Sequence, residues 1–236
     1  MSNNTEVGYY TTAFKLYSVI LGFFTAFTNV MLPRMSSLLA NGEKDRFQEL
    51  VNRSFSVMAT CCIPLILCSM IMAPQIVYIL SGPGYEGAIL PMRIIMPAAF
   101  AVGVAQVLAI QVLMPMKKDK VLLIASIIGA VVSLLINLLV VPSVKSVGSA
   151  VVLLCSEMGV TGMYVWYVLS QELILIPIKA IGKNVLFSLP SVVICLGCGR
   201  WIDNELLGVG CAVVLAGILW MLLQIIIRSL VGERIK

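Results

Sequence analysis

Long apolar runs, broken only by short polar connectors, make up most of this 236-residue chain. A helix needs about 20 predominantly apolar residues to cross the roughly 30 Å hydrocarbon core of a bilayer. Segments of about that length lie at 12–33, 54–73, 92–114, 121–141, 148–170, 184–200 and 207–227. The pattern therefore predicts an all-α, polytopic membrane protein with about seven transmembrane helices, in which residues 1–236 form one helical membrane domain.

Composition agrees with that class and excludes others. Hydrophobic residues make up 60% of the chain and charged residues 11%, whereas soluble domains carry about 25% charge. So little charge argues against nucleic-acid binding. The chain has no histidine, which removes the commonest general base and metal ligand, and its connectors are too short for a catalytic domain. We therefore expect no enzyme, no catalytic or metal site and no cofactor.

The seven cysteines all lie in apolar runs. Cys195 and Cys198 have the spacing of a redox or metal motif, but they stand inside a predicted span and no second pair stands beside them. Small polarisable side chains pack membrane helices together, and thiol chemistry needs access. Helix packing is therefore the preferred interpretation, and thiol or metal chemistry is the alternative.

Basic residues predict the orientation. With the connector after the first span placed in the cytoplasm, four of the sixteen Lys and Arg residues lie outside: Lys15, Arg93, Lys145 and Arg200. The cytoplasmic side then holds twelve: Arg34, Lys44, Arg46, Arg53, Lys117, Lys118, Lys120, Lys179, Lys183, Arg228, Arg234 and Lys236. Cytoplasmic connectors carry the excess of positive charge, so we expect a cytoplasmic C-terminus and, with seven spans, an N-terminus outside.

An outside N-terminus with no basic flank and no signal sequence is most simply explained if further spans precede it. We therefore expect the chain to be the C-terminal part of a longer transporter.

The connector 34–53 is amphipathic, because Phe47, Leu50 and Val51 share one face of a helix. It predicts a helix lying along the membrane surface, introduced by a turn at Asn41-Gly42.

Two stretches carry a family resemblance. The first is Val7-Gly8-Tyr9-Tyr10 with Ala13, Lys15 and Leu32-Pro33-Arg34, and the second is LSGPGYEGAILPMRIIMPA at 80–98. They resemble the bacterial polysaccharide (O-antigen type) flippases of the multidrug/oligosaccharidyl-lipid/polysaccharide exporter superfamily. The resemblance implies the second lobe plus the last spans of a protein with 12 to 14 spans in two helical lobes.

That resemblance also implies a function and partners. Such proteins move undecaprenyl-pyrophosphate-linked sugar repeats across the bacterial inner membrane during surface polysaccharide synthesis. The implied partners are the lipid-linked oligosaccharide, the bilayer, and a separate first lobe or polysaccharide-assembly proteins. Because the first lobe is missing here, we expect the chain alone to be incomplete for transport.

One face of the first span is polar. Six residues spaced three or four apart form a single stripe along a helix: Thr11, Lys15, Ser18, Gly22, Thr25 and Asn29. A polar stripe cannot face lipid. For the small members, close helix packing is the preferred interpretation. For Lys15 and Asn29, the wall of a substrate cavity and a structural role stay open alternatives.

The implied cargo is anionic, so cations are candidates for binding its pyrophosphate. Lys15 and Arg93 are the candidates on the outer side. Arg93 could instead extend to the lipid headgroups, and Arg34 is better explained as a topology anchor.

In the third span, Gln106 and Gln111 lie about 140° apart around the axis, so at most one lines a given cavity. We select Gln106, since Gly103 lies one turn before it.

Glu157 lies near the middle of the fifth predicted span, with Thr161 and Tyr164 on the same face. A carboxylate at mid-bilayer costs about 2.5–3.5 kcal/mol on insertion scales, and such residues commonly bind protons or cations in transporters. Glu157 is therefore the candidate residue for binding a coupling ion. A hydrogen-bonded structural Glu is the alternative, and exposure to lipid would exclude the coupling role.

Three other functions stay open. A cation-coupled multidrug antiporter of the same superfamily would need acidic cavity walls, whereas Lys15 and Arg93 are basic. A membrane-embedded sugar-modifying enzyme would need clustered polar residues in the outer connectors, where acids are few and scattered. An inert remnant, inactive without a first lobe, is the third.

Overall fold

The computed structural model describes residues 4–201 and 205–232, and the described residues form helices and connectors without a strand. The α-helices are α1 (Asn4–Ala40), α2 (Lys44–Ile71), α3 (Ala73–Ser81), α4 (Ile89–Gln106), α5 (Asp119–Ser170), α6 (Ile178–Trp201) and α7 (Glu205–Gly232). A 3-10 turn at Glu86–Ala88 precedes α4, and a π-helical segment at Val107–Leu113 follows it. The predicted all-α class is confirmed.

Among the described residues, five helical segments are long and apolar enough to cross a membrane: Asn4–Ala40, Lys44–Ile71, Glu86–Leu113, Asp119–Ser170 and Ile181–Arg200. A shorter apolar helix follows at Glu205–Trp220. The seven segments predicted from the sequence fall on these helices, and the second is interrupted at Met72, where α2 ends. The predicted cytoplasmic residues Arg234 and Lys236 lie outside the described residues, as do the side chains of Lys179 and Arg228.

Helix α5 is a hairpin of two legs. As a straight rod its 52 residues would measure about 78 Å, more than twice the hydrocarbon thickness. The backbone instead reverses at Lys145, whose φ of 50° and ψ of −119° are not helical. A Cβ on Gly148 would lie 3.0 Å from the Cα of Val141, so the legs meet closely beside the bend. They match the fourth and fifth predicted spans.

The expected surface helix at 34–53 is wrong. Helix α1 continues to Ala40, Gly42 makes the turn with φ +75°, and α2 begins at Lys44. The apolar face of Phe47, Leu50 and Val51 is buried in the main core. The residues between the spans therefore lengthen two packed helices, because their apolar face is covered by protein and not by lipid. The predicted turn at Asn41-Gly42 is confirmed.

Helix α4 is the most buried of the long apolar helices, and it packs against α1, α2 and α5. Helices α6 and α7 pack on each other and reach the remaining helices mainly through α2 and α3. At one end of the α2–α6 contact, the Gln48 amide exchanges two hydrogen bonds of 2.9 Å with the backbone of Leu175. The molecule thus has a main core around α4 and a smaller unit, α6–α7, beside it.

The two ends of the bundle can be told apart by their connectors. We call one the Tyr85 end: there α1 begins, α3 ends, α4 begins and α5 bends. The opposite end, which we call the Gly42 end, holds the turn between α1 and α2. The positive-inside count places the Tyr85 end outside the cell, and this orientation stays a prediction.

Candidate functional site

An open cleft of about 430 Å³ lies at the Tyr85 end, between the start of α1 and the end of α3. Its lining combines one cation with amide, hydroxyl and aromatic groups: Asn4, Val7, Gly8, Thr11, Thr12, Lys15, Ser81 and Tyr85. Such a lining can bind an anion through the ammonium group and sugar-like hydroxyls through the neutral polar groups.

Reciprocal tyrosine–glycine packing builds one side of this cleft. The Tyr9 ring occupies the space that a Cβ on Gly87 would need, and a Cβ on Gly8 would lie 3.4 Å from the Tyr85 ring. The two tyrosine rings meet edge to face, with centroids 5.9 Å apart. Glycine at both positions thus lets α1 and the turn before α4 approach closely. These are the two stretches that carry the family resemblance in the sequence.

Two further contacts attach the start of α1 to its neighbours. The hydroxyls of Thr12 and Ser81 lie 2.8 Å apart. The Glu6 carboxylate accepts hydrogen bonds from the Ser146 hydroxyl at 2.6 Å and the Ser146 backbone N–H at 3.3 Å. The Lys145 ammonium lies 3.8 Å from the other carboxylate oxygen. The cleft wall is therefore held by both α3 and the α5 bend.

These contacts favour the ionised form of Glu6. Its pKa lies below the ordinary value because of the Ser146 hydroxyl first, then the Ser146 backbone N–H and the Lys145 charge. Hydrogen bonds to a carboxylate favour the charged form. An anion that receives the first N–H of a helix also complements the positive end of its dipole. Glu6 was not among the residues predicted from the sequence, although an acid in the first turn of a helix is a visible signal.

The polar stripe of α1 lies on its exposed face. Lys15, Ser18, Gly22 and Asn29 are exposed and Thr25 is half-buried, while a Cβ on Gly22 would meet nothing within 4 Å. Within the described part of this chain, Gly22 therefore has no packing partner and Ser18 is exposed, whereas Thr25 contacts Gln106 of α4. The stripe instead faces away from the chain's own core.

Not all large apolar side chains of α1 are buried. Ile20 is buried, but Val19 and Phe23 are 70% and 55% exposed. The buried residues of α1 include Tyr17 and Phe24, which belong to the main core, and Phe24 lies beside Gly103 of α4. Helix α1 therefore presents both a polar stripe and large apolar side chains to its surroundings.

Gln106 joins α4 to the stripe of α1. Its amide nitrogen donates to the Thr25 hydroxyl at 2.9 Å, and its carbonyl oxygen accepts from the Thr28 hydroxyl at 3.3 Å. The side chain is half-buried. Gln106 thus lies beside the polar stripe but is engaged by hydroxyls, and the pattern of the third span gave no signal for Thr28 as its partner.

Arg93 lies at the Tyr85 end but does not line the cleft. Its Nε donates to the backbone carbonyl of Met70 at 3.0 Å. Met70 is in the last turn of α2, where unpaired carbonyls and the negative end of the dipole favour a cation. The exposed guanidinium therefore has a structural contact through one nitrogen.

Glu157 lies on the side of the second α5 leg that faces protein. It is half-buried and close enough to Tyr17 and Tyr164 for electrostatic interaction. One turn further on, the Thr161 hydroxyl donates to the backbone carbonyl of Ala101 in α4 at 2.9 Å. The condition that would exclude a coupling role, exposure to lipid, is therefore not met, and the role stays a prediction.

The five candidate residues do not form one cluster. Lys15 is in the cleft, whereas Asn29 lies fourteen residues further along α1, about 21 Å away along its axis. Gln106 lies between these two levels, beside Thr25. The candidates are therefore spread along α1 and its neighbours, and their role as cavity residues stays a prediction. No group of metal-ligating side chains is present among the described residues.

Gln111, which was not selected as a cavity residue from the sequence, is fully buried, and neither polar atom of its amide has a hydrogen-bond partner among the described residues. It lies in the π-helical segment, where the Met114 N–H bonds to the carbonyl of Ala109. A π-helical turn shifts the residues after it around the axis relative to an α-helix. Because the angle between Gln106 and Gln111 was calculated for an α-helix, the sequence could not place this amide.

Comparisons with known proteins identify relatives of this chain. Residues 3–204 match the family model described as lipid II flippase MurJ. The chain is 27% identical over 175 residues to the "Putative O-antigen transporter" of Escherichia coli (strain K12). This alignment covers 74% of this chain and 42% of that protein. The fold matches a solved lipid II flippase MurJ in an inward closed conformation, with a TM-score of 0.81 and 16% identity.

That structural match covers 98% of this chain and 48% of the flippase, so the chain spans less than half the length of both proteins. The chain thus corresponds to part of such a protein, and its correspondence to the second lobe stays a prediction. Five helical segments able to cross a membrane make the chain a multi-pass membrane protein. Because the family model matches far more than half of the residues, the chain belongs to the lipid II flippase MurJ family.

Proposed function

We propose that this chain supplies one half of a flippase that moves lipid-linked oligosaccharides across a bacterial inner membrane. The observation that carries the proposal is the polar stripe of α1, which includes Lys15 and faces away from the chain's own core. A charged and hydroxyl-rich face cannot be satisfied by lipid tails. It therefore faces a hydrated path, closed on its other side by helices that this chain does not contain.

The charge in the cleft favours an anionic cargo. Lys15 would bind the pyrophosphate of an undecaprenyl-pyrophosphate-linked oligosaccharide as a point charge, while Asn29 would contact sugar hydroxyls further along α1. Gln106 would keep the path polar where it already bonds Thr25. Arg93 would add a second cation at the same end through the guanidinium nitrogens that do not bond Met70.

Transport of this kind needs two lobes that change their relative orientation around a cavity. The names of the relatives, a lipid II flippase and an O-antigen transporter, support a lipid-linked sugar as cargo. The exposed Val19 and Phe23 beside the stripe support a missing lobe as partner, because they could pack against its helices. The orientation that fits the basic residues has the C-terminus in the cytoplasm.

Glu157 is proposed to bind the coupling cation. It faces the tyrosines of α1 and α5, where gain and loss of a proton or Na⁺ could change the contact between these helices. A multidrug antiporter is less well supported, since the cleft presents a cation where a cationic drug would need an acid.

Complementation tests this function. A bacterial strain that lacks its own polysaccharide flippase would receive the chain alone, or the chain together with the first lobe of a family member. We expect restored surface polysaccharide only in the second case, because the hydrated path has one wall in this chain. Rescue by the chain alone would contradict the half-transporter proposal, and failure of both with normal membrane insertion would contradict the flippase proposal.

A further inference from the structure

Helices α2 and α6 lie side by side in the same direction. Toward the middle of the contact the Thr60 hydroxyl donates to the Asn184 side-chain oxygen at 3.2 Å. Closer to the Tyr85 end the sulfur atoms of Cys68 and Cys195 lie 2.8 Å apart. The two pairs are separated by 124 and 127 residues, so the register changes little along the contact. The cysteine pair is thus part of a continuous line of interhelical contacts.

The environment of the two thiols differs. Both are free cysteines, but Cys195 is fully buried and Cys68 is only half-buried. Cys195 lies in the small cluster formed with Met72, Ala212 and Ala216, through which the α6–α7 unit contacts the end of α2. The Cys68 thiol is therefore partly exposed at the protein surface. The Cys195 thiol lies where the α6–α7 unit contacts the rest of the bundle.

We propose that Cys68 and Cys195 form an intramolecular disulfide when the protein meets a thiol oxidant, and that this bond locks α6 to α2. The sulfur separation of 2.8 Å exceeds the ~2.05 Å of a disulfide bond by less than 1 Å, so a small movement of either side chain would bring the two atoms into bonding distance. The proposal goes beyond flipping, because it assigns a covalent modification to residues outside the cleft and the polar stripe.

The chemistry requires an oxidant that accepts two electrons, such as the disulfide of a thiol oxidoreductase. The Cys68 thiolate attacks one sulfur of that disulfide, forming a mixed disulfide and releasing the first thiol. The Cys195 thiolate then attacks the Cys68 sulfur, which forms the internal bond and releases the second thiol. Each cysteine loses one proton, and the oxidant is reduced to a dithiol.

Location favours this reaction. Cys68 lies three residues before the end of α2, about 4.5 Å along the axis, at the Tyr85 end. The predicted orientation places that end outside the inner membrane, where conditions are oxidising. A cross-link there would fasten the α6–α7 unit to the main core at its second cluster. The consequence is restricted movement of α6 against α2.

Oxidation of the purified full chain in detergent tests the proposal. The protein would be treated with the thiol oxidant diamide, its remaining thiols alkylated, and its peptides analysed by mass spectrometry without reduction. We expect the number of free thiols to fall from seven by two, with Cys68 joined to Cys195. The variant C68A should lose no thiols to an internal bond, whereas C155A should form the bond as the native chain does.

Three outcomes would overturn the proposal: no loss of thiols under conditions that oxidise a model dithiol, a different dominant pair, or an unchanged loss of two thiols in C68A. Thermal unfolding supplies a second measurement that does not depend on a variant of the buried Cys195. The oxidised native chain should unfold at a higher temperature than the reduced chain, because a cross-link restricts the unfolded chain. Equal unfolding temperatures would contradict the locking role.

Discussion

Tyr9 lies across Gly87, with its ring in the space that a Cβ at position 87 would occupy. In the same way, the Tyr85 ring packs over Gly8. The stretches 7–10 and 80–98 resemble those of the polysaccharide flippases, and here they are in contact. This packing explains why both stretches contain glycine and tyrosine. Each stretch has a glycine at the point where the tyrosine of the other stretch packs beside the cleft.

The first prediction concerns Gly87→Ala. The added methyl would collide with the Tyr9 ring, and overpacking of a close contact costs about 1–3 kcal/mol. We expect a lower temperature of thermal unfolding in detergent. Gly162→Ala is the matched control, since a Cβ there meets nothing within 4 Å and alanine favours a helix by about 0.5–1 kcal/mol over glycine.

A second variant separates the collision from a backbone effect. If Tyr9 is the obstacle, the double variant Gly87→Ala with Tyr9→Ala should lose less stability than the two single losses added together. Additive losses would show that the ring is not what limits residue 87.

The second prediction concerns acid and Glu6. Because its pKa is lowered in the folded protein, its contacts stabilise the fold fully above the unfolded-state pKa of about 4.3. That stabilisation is lost as pH falls through the folded-state pKa. The unfolding temperature of Glu6→Gln should therefore fall less between pH 7 and pH 3 than that of the native chain.

Glu43→Gln is the control for this acid effect. Glu43 pairs with Arg46 three residues away on an exposed helical start, and such surface pairs contribute about 0–1 kcal/mol. Its variant should keep the pH dependence of the native chain. An equal change in both variants would mean that general charge, and not the contact with Ser146, determines acid sensitivity.

The helical segments and the polar stripe were predictable because both depend on the local sequence alone. Long apolar runs locate spans, and the 3.6-residue period places Lys15 and Asn29 on one face. The predictions that failed concern residues whose partners are distant in the sequence. In the sequence Phe47 resembles a membrane-facing residue, but it is buried in the main core. No local pattern pairs Gln106 with Thr28. The hairpin of α5 was visible as two spans, but the non-helical backbone at Lys145 was not.

The third prediction concerns Lys15 in the chain joined with a first lobe. Lys15→Gln should reduce export of the lipid-linked oligosaccharide about 10-fold or more, because hydrogen bonds to charged groups contribute about 1.5–3 kcal/mol. Lys15→Arg should keep more export, since the positive charge stays. Lys120→Gln removes an exposed lysine far from the cleft and should leave export unchanged. Equal export by the Lys15→Gln and Lys120→Gln variants, at equal membrane abundance, would contradict the role of Lys15 in binding.

The fourth prediction compares the same substitution at two glutamines. Gln106→Met removes the hydrogen bonds to Thr25 and Thr28. Both hydroxyls keep bonds to carbonyls of their own helix, so the cost should be about 0.5–1.5 kcal/mol, the net value of a typical hydrogen bond. Thermal unfolding of the purified chain in detergent measures the loss.

Gln111→Met should have the opposite effect. The native amide is fully buried, and in the part of the chain that the structure describes neither of its polar atoms has a partner. An unsatisfied buried group costs about 1–3 kcal/mol. Methionine has a similar length and no amide, so the variant should unfold at a higher temperature than the native chain. If it unfolds at a lower temperature instead, the amide has a partner in the membrane, such as a buried water, and the π-helical segment would be the place to look for it. Opposite signs for two glutamines five residues apart would show that their partners, and not their shared side chain, determine stability.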